Sequence, residues 1–190
     1  LLVLTIVTAL ATILLSPLFS NKRFSYFPAR WWGRAFCYLL FIKVKLIGLE
    51  KLNAQQSYVI VCNHQSIYDV FVVYGWLPMI FKWLMKAELR KIPLVGKACA
   101  DAGHIFIDRS NAVTAKHSIE QAEKQLKNGN SVVIFPEGTR THNGEMCKFK
   151  RGAFLIATDL HLPILPLTLR GCYERLPRNT VNVVPGTIEI

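Results

Sequence analysis

A chain of 190 residues has room for one sizeable hydrophobic core and is short for two. Its residues are 52% hydrophobic, and 23 Lys and Arg against 12 Asp and Glu give a formal charge of +11. Such a basic and greasy chain suits an anionic membrane surface, and no zinc-finger spacing, RNP-like run or long basic helix speaks for nucleic acid as the partner. The five cysteines (Cys37, Cys62, Cys99, Cys147, Cys172) are scattered and form no CxxC pair, so neither a metal site nor a disulfide framework is expected.

Leu1 to Phe19 carries no charge and is mostly Leu, Val, Ile, Ala and Thr until Ser16 and Pro17 interrupt it. It lies at the lower edge of the ~20 apolar residues that a crossing helix needs, and reads as a membrane anchor. Lys22, Arg23, Arg30 and Arg34 follow, which places the remainder on the cytoplasmic side of the membrane. From Phe24 to Ile47 the residues Phe27, Trp31, Trp32, Phe36, Tyr38 and Phe41 mix with cations, and the pattern predicts a second helix lying in the membrane interface. An aromatic-rich core helix is the alternative. Residues 1–47 are thus set apart as N-terminal membrane-anchoring helices, and 48–190 as an α/β domain.

Within that domain Tyr58 to Cys62 is a β-branched run and reads as a strand, followed by a helix starting near Ser66. Ile105 to Ile107 reads as a second strand. Asn111 to Lys127 predicts an amphipathic helix, with Val113, Ile119, Ala122 and Leu126 on one face, Asn111 as its cap and Gly129 as its stop. Ser131 to Phe135 and Ile164 to Thr168 are further strands, and the residues leading to Ile190 are one more. The alternation predicts a mostly parallel mixed sheet flanked by helices.

Sites in such sheets form where loops leave the carboxyl ends of strands. The loop after the first strand is Asn63-His-Gln-Ser-Ile-Tyr-Asp69. His64 and Asp69 are turned about 140° apart on a regular helix, so they meet only if His64 stands in the loop and Asp69 in the helix's first turn. Ser66 followed by Asp69 fits a capping arrangement that starts the helix between them. The carboxylate then holds one imidazole nitrogen and leaves the other for a substrate proton, the base-and-orienter half of a triad. A histidine that only caps the helix is the plainer alternative. Cys62 is a weak candidate nucleophile, since a thiol at the apolar end of a strand is more often core. With no protein nucleophile, the base activates a hydroxyl of the substrate itself. Backbone N–H groups near Ser66 are a candidate for stabilising an oxyanion. The second constellation is Phe135-Pro-Glu-Gly-Thr-Arg140, where Gly138 permits a tight turn and Arg140 offers a planar fork suited to phosphate. Arg109, Lys148, Lys150 and Arg151 add positive charge to the same region.

On these residues the chain resembles the 1-acylglycerol-3-phosphate acyltransferase family over roughly Val59 to Leu169. Four of the family's blocks stand in order: Asn63-His64 to Asp69, Gly103-His-Ile-Phe-Ile-Asp-Arg109, Phe135 to Arg140, and Leu162-Pro-Ile-Leu-Pro-Leu167. Phe149-Lys-Arg-Gly-Ala153, and Lys86 with Ile92-Pro93, also fall in familiar places. The resemblance implies a fatty acyl transfer from acyl-CoA or an acyl carrier protein to lysophosphatidic acid, giving phosphatidic acid, with no cofactor and no acyl-enzyme. It implies His64 as general base and Asp69 as its orienter. It implies recognition of the glycerol phosphate by Arg109 and by Glu137, Gly138, Thr139 and Arg140, with Lys86 and Lys150 as lesser phosphate contacts, and an acyl groove lined by the fourth block. Membrane lipids are the expected partners. Glycerol-3-phosphate or another lysolipid is the alternative acceptor, and a basic membrane-binding module without catalysis is the alternative from another class.

Overall fold

The computed structural model describes residues 1–18, 26–108 and 130–190; Arg109 and the helix expected over 111–127 lie outside the described residues. The centre is a five-stranded parallel sheet of order β4-β3-β5-β2-β6. Its strands are β2 (Val59–Cys62), β3 (Phe81–Lys86), β4 (Ile105–Ile107), β5 (Ser131–Ile134) and β6 (Ile164–Leu167). A smaller parallel pair joins β1 (Ile42–Lys45) to β7 (Gly186–Glu189).

Alternation along the strands divides the core into two layers. Ile60, Cys62, Phe81, Trp83 and Val133 face one way, towards α2 (Tyr26–Leu39) and α3 (Tyr68–Trp76). Val59, Val61, Val132 and Ile134 face the other, towards α5 (Gly152–Asp159). With both faces covered, β2 and β5 are buried at every position, and apart from Ser131 they read as apolar runs rather than alternating ones. Between β3 and β4 lies α4 (Val95–Asp101), and α6 (Cys172–Arg175) follows β6. The chain leaves β2 for β3 and β4, then returns to lay β5 between β3 and β2. The carboxyl ends of β2 and β5 are therefore central neighbours at the point where the winding reverses, the place where such sheets hold their ligands.

Two expectations for the first 47 residues change. α1 spans Leu2–Leu15, and at 1.5 Å per residue its 14 residues reach about 21 Å, against a hydrocarbon core of about 30 Å. Among the described residues no helix is long and apolar enough to cross a membrane. The crossing form of the expected anchor is not formed among the described residues. α1 instead lies against α4 and α2, held by Ser16 Oγ donating to the Asp101 carbonyl (3.0 Å) and Trp32 Nε1 donating to Thr5 Oγ1 (3.1 Å). The second change concerns 24–47. Its helical part is α2, but Ile42–Lys45 is a strand; the period-2 alternation Ile-Lys-Val-Lys outweighs the aromatic pattern before it.

α2 answers to the alternative reading, an aromatic-rich helix packed in the core. One face is core: Phe36 packs on Phe71 with ring centroids 4.3 Å apart, and Trp32 meets the same ring edge-on at 4.8 Å. Glycine sets the crossing, because a Cβ on Gly33 would stand 2.5 Å from the Phe71 carbonyl oxygen. Arg34 then donates through Nε to the Gly75 carbonyl (2.8 Å), satisfying an orphan acceptor in the last turn of α3. The other face leaves Phe27, Trp31 and Tyr38 exposed.

Candidate active site

The catalytic candidates are carried by the loop between β2 and α3. Asn63, buried after the last residue of β2, pairs with Leu169 in both directions: its Nδ2 donates to the Leu169 carbonyl (2.9 Å) and its Oδ1 accepts the Leu169 N–H (2.8 Å). That ties the start of the loop to the segment following β6. The side chains of Ser66 and Asp69 then bind the backbone at the start of α3. Asp69 Oδ2 accepts the Ser66 N–H (2.9 Å), and Ser66 Oγ accepts the Tyr68 N–H (3.3 Å).

The same Asp69 oxygen also accepts the Gln65 N–H (2.6 Å) and faces His64 Nδ1 at 2.7 Å. The two side chains singled out by spacing therefore do meet, with His64 in the loop and Asp69 in the first turn of the helix. Asp69 has no exposed side-chain surface, whereas 18% of the His64 side chain reaches solvent. An ionised carboxylate only accepts, so Nδ1 carries the proton and the lone pair of Nε2 is left available. Phe135 lies flat against the imidazole, centroids 3.9 Å apart and planes 11° apart, and Trp83 stacks behind Phe135 at 5.3 Å. Ring plane and tautomer are both set before any substrate arrives. The sequence did not single out Phe135 or Trp83 for this, since stacking appears only once β2, β3 and β5 are side by side.

The second constellation closes over the first. Phe135, Pro136, Glu137 and Gly138 form a turn in which the Gly138 N–H donates to the Phe135 carbonyl (3.1 Å). Gly138 has a φ of +74°, a conformation glycine adopts without steric cost. Glu137 is drawn into the framework of the loop. It is 2% exposed, and its two oxygens accept the His64 N–H and the Cys147 N–H, each at 2.7 Å. A carboxylate used in this way braces the backbone of His64. Near Ser66 the N–H groups of Gln65 and Ser66 are taken by Asp69, and that of His64 by Glu137, so these three are not free to receive an oxyanion.

The turn continues as a loop bound to the His64 segment. The Thr141 N–H donates to the His64 carbonyl (2.9 Å), and Gln65 Nε2 donates to the Gly144 carbonyl (3.1 Å). Thr139 is exposed and its Oγ1 accepts from Arg178; Arg140 is half-buried, and among the described residues its guanidinium makes no hydrogen bond. Lys150 has an exposed side chain, and its N–H donates to the Pro136 carbonyl (2.9 Å), which holds the basic stretch beside the turn. Lys86 ends β3, exposed, on the carboxyl side of the strand next to β5. The fourth block is the edge strand β6, half exposed along its length.

Cys62 is unfit as a nucleophile. Burial pushes its thiol well above the usual range, and the charges of Asp69 and Glu137 push it further. Cys172 is raised in the same way, by burial and then by Asp69. His104, from the second block, is buried and lowered to about 3 by burial and by the nearby Lys82 charge. Its Nδ1 accepts the Trp83 N–H and its Nε2 bonds the Tyr74 hydroxyl, so it is a neutral core histidine. Among the described residues no group of three or more His, Cys, Asp or Glu side chains is placed to hold a metal ion.

Comparison with known proteins places this arrangement. The family model described as Acyltransferase matches residues 43–170. The chain is 35% identical over 159 residues to the 1-acyl-sn-glycerol-3-phosphate acyltransferase of Cocos nucifera, covering 83% of this chain and 51% of that protein. It is 41% identical over 157 residues to 1-acyl-sn-glycerol-3-phosphate acyltransferase alpha of Mus musculus, covering 80% and 54%. The chain thus spans about half the length of the curated relatives it matches. The crystal structure of the 1-acyl-sn-glycerophosphate (LPA) acyltransferase PlsC from Thermotoga maritima is similar in fold, with a TM-score of 0.75, 26% identity, and coverage of 94% of this chain and 73% of that one.

Proposed function

Since the chain belongs to the acyltransferase family, we propose that it moves a fatty acyl group from a thioester to the free sn-2 hydroxyl of lysophosphatidic acid, giving phosphatidic acid. The observation that carries this reading is the 2.7 Å contact between His64 Nδ1 and a fully buried Asp69, with Nε2 left open beside the Phe135–Arg140 turn.

A lipid hydroxyl ionises far above neutral pH, so it attacks a thioester well only as its proton leaves. His64 Nε2 takes that proton while the hydroxyl oxygen bonds to the acyl carbon. Asp69 stabilises the resulting imidazolium. The tetrahedral intermediate then expels the thiolate, which recovers the proton from His64. No acyl-enzyme forms, in keeping with the raised thiol of Cys62. The donor is acyl-CoA or an acyl carrier protein; both are acidic and suit a chain of net charge +11. The acceptor's phosphate is met by Arg140 with Gly138 and Thr139 of the same turn, assisted by Arg109, Lys86 and Lys150. The acceptor is drawn from a membrane against which the exposed apolar side chains of α1 and the Phe27, Trp31 and Tyr38 face of α2 rest from one side.

The test is a panel. Purified protein is given labelled acyl-CoA or acyl carrier protein with lysophosphatidic acid, glycerol-3-phosphate, or lysolipids with larger headgroups. Lysophosphatidic acid is expected to be acylated fastest. Preference for another member of the panel reassigns the acceptor, and transfer to none of them leaves a membrane-binding module.

A further inference from the structure

Arg178 lies in the segment after α6, 38 residues beyond Arg140 in sequence, and its guanidinium reaches back onto the Gly138–Glu145 loop. Nη1 donates to Thr139 Oγ1, to the Arg140 carbonyl and towards His142 Nε2, each at 3.0 Å. The peptide group joining Arg140 to Thr141 is thereby held on both sides, its carbonyl by Arg178 and its N–H by the His64 carbonyl. Arg178 therefore stands one peptide unit from the backbone of His64.

What remains of the guanidinium is informative. Nη1 is engaged by the loop, but the opposite edge, made of Nε and Nη2, makes no hydrogen bond among the described residues. Nε is buried without a partner among the described residues, and a buried donor is costly to leave unpaired. No carboxylate forms an ion pair with Arg178 among the described residues, and Glu145 of the same loop is bonded by Asn143 Nδ2 (2.9 Å). A half-buried cation lacking a counter-ion, with a planar two-donor edge unpaired, matches the bidentate geometry of a phosphate monoester. The backbone of Arg140 adjoins it, and Arg140 likewise has no anionic partner among the described residues.

We propose that Arg178 is a second binding residue for the acceptor's phosphate, taking two of its oxygens on the Nε–Nη2 edge while Nη1 fixes the turn that carries Arg140. This rests on the acyl-transfer reading above and adds to it a residue from outside the motif blocks. Arg178 then determines preference for a phosphate monoester over an uncharged lysolipid.

The experiment compares the wild-type chain with Arg178→Ala and Arg178→Lys in mixed micelles. The KM for lysophosphatidic acid is expected to rise about tenfold or more in Arg178→Ala, with kcat within about threefold, and Arg178→Lys, which keeps the charge but loses the fork, falls between. Binding of sn-glycerol-3-phosphate, followed by calorimetry without any turnover, weakens in the same order. Should Arg178→Ala not fold, Arg178→Lys and Arg178→Gln provide the series. An unchanged KM and unchanged glycerol phosphate binding overturn the proposal, as does a loss confined to kcat and thermal stability, the signature of a loop latch alone. If the wild-type chain does not acylate lysophosphatidic acid, it is the acyl-transfer reading that fails, and the calorimetric series still decides the role of Arg178.

Discussion

Replacing Glu137 by glutamine separates a framework carboxylate from a substrate contact. The side chain is enclosed, and each oxygen accepts one backbone N–H at 2.7 Å, from His64 on one side and Cys147 on the other. Glutamine has the same shape but offers one acceptor and one donor. Whichever way its amide turns, one buried N–H faces another N–H and loses its partner, at about 1–3 kcal/mol. The surviving bond is also no longer charge-assisted and weakens by about 1 kcal/mol. Together these cost roughly 2–4 kcal/mol, which for a chain of this length lowers the melting temperature by about 5–15 °C. The assay pairs thermal unfolding with steady-state kinetics. Glu137→Gln is expected to melt earlier and to lose kcat, because the backbone that aims the imidazole is released. A variant with wild-type melting and kcat, but a raised KM for the lysolipid, refutes this account and returns Glu137 to the substrate.

Two further outcomes follow from the buried titratable groups. Cys62→Ala should keep activity within a few-fold of wild type, since burial and the neighbouring carboxylates hold the thiol protonated; a dead but folded variant would restore a thiol nucleophile. His104 has a folded-state pKa of about 3 against about 6.5 unfolded, so the unfolded chain takes up the proton first. The stability that its neutral form contributes is complete above about pH 6.5 and is lost as pH falls towards 3, amounting to roughly 2–3 kcal/mol by pH 4.5. Denaturant titrations should show His104→Gln lacking that share of the acid slope, and an identical slope in both proteins counts against the assignment.

Much of the architecture was legible from local chemistry. The strands at Val59–Cys62, Ile105–Ile107, Ser131–Ile134 and Ile164–Leu167 are short apolar, mostly β-branched runs, and the structure places each within a residue of the expected bounds. β3 escaped because Phe-Lys-Trp-Leu-Met-Lys has no β-branched residue and carries two lysines. Lys82 is nonetheless buried, its Nζ donating to the Ala102 carbonyl at 2.6 Å, a partner supplied only by the fold. For α1 the sequence left the span open, since an uncharged apolar stretch looks alike whether it crosses a bilayer or lies along α4 and α2. At the site, His64 and Asp69 were legible because the helix start between them fixes their approach locally. The use of Glu137 was not, because its partners are backbone N–H groups that no side-chain pattern encodes. Arg178 stands 38 residues from the Arg140 carbonyl it binds and belongs to no recognisable block.

The central claim is most directly tested by the turnover number of His64→Ala with acyl-CoA and lysophosphatidic acid, at pH 7 to 8 in micelles that hold the acceptor. The account predicts a fall in kcat of about a thousandfold or more with little change in either KM, because the imidazole acts on the proton in flight and not on ground-state binding. Turnover within about tenfold of wild type would contradict it.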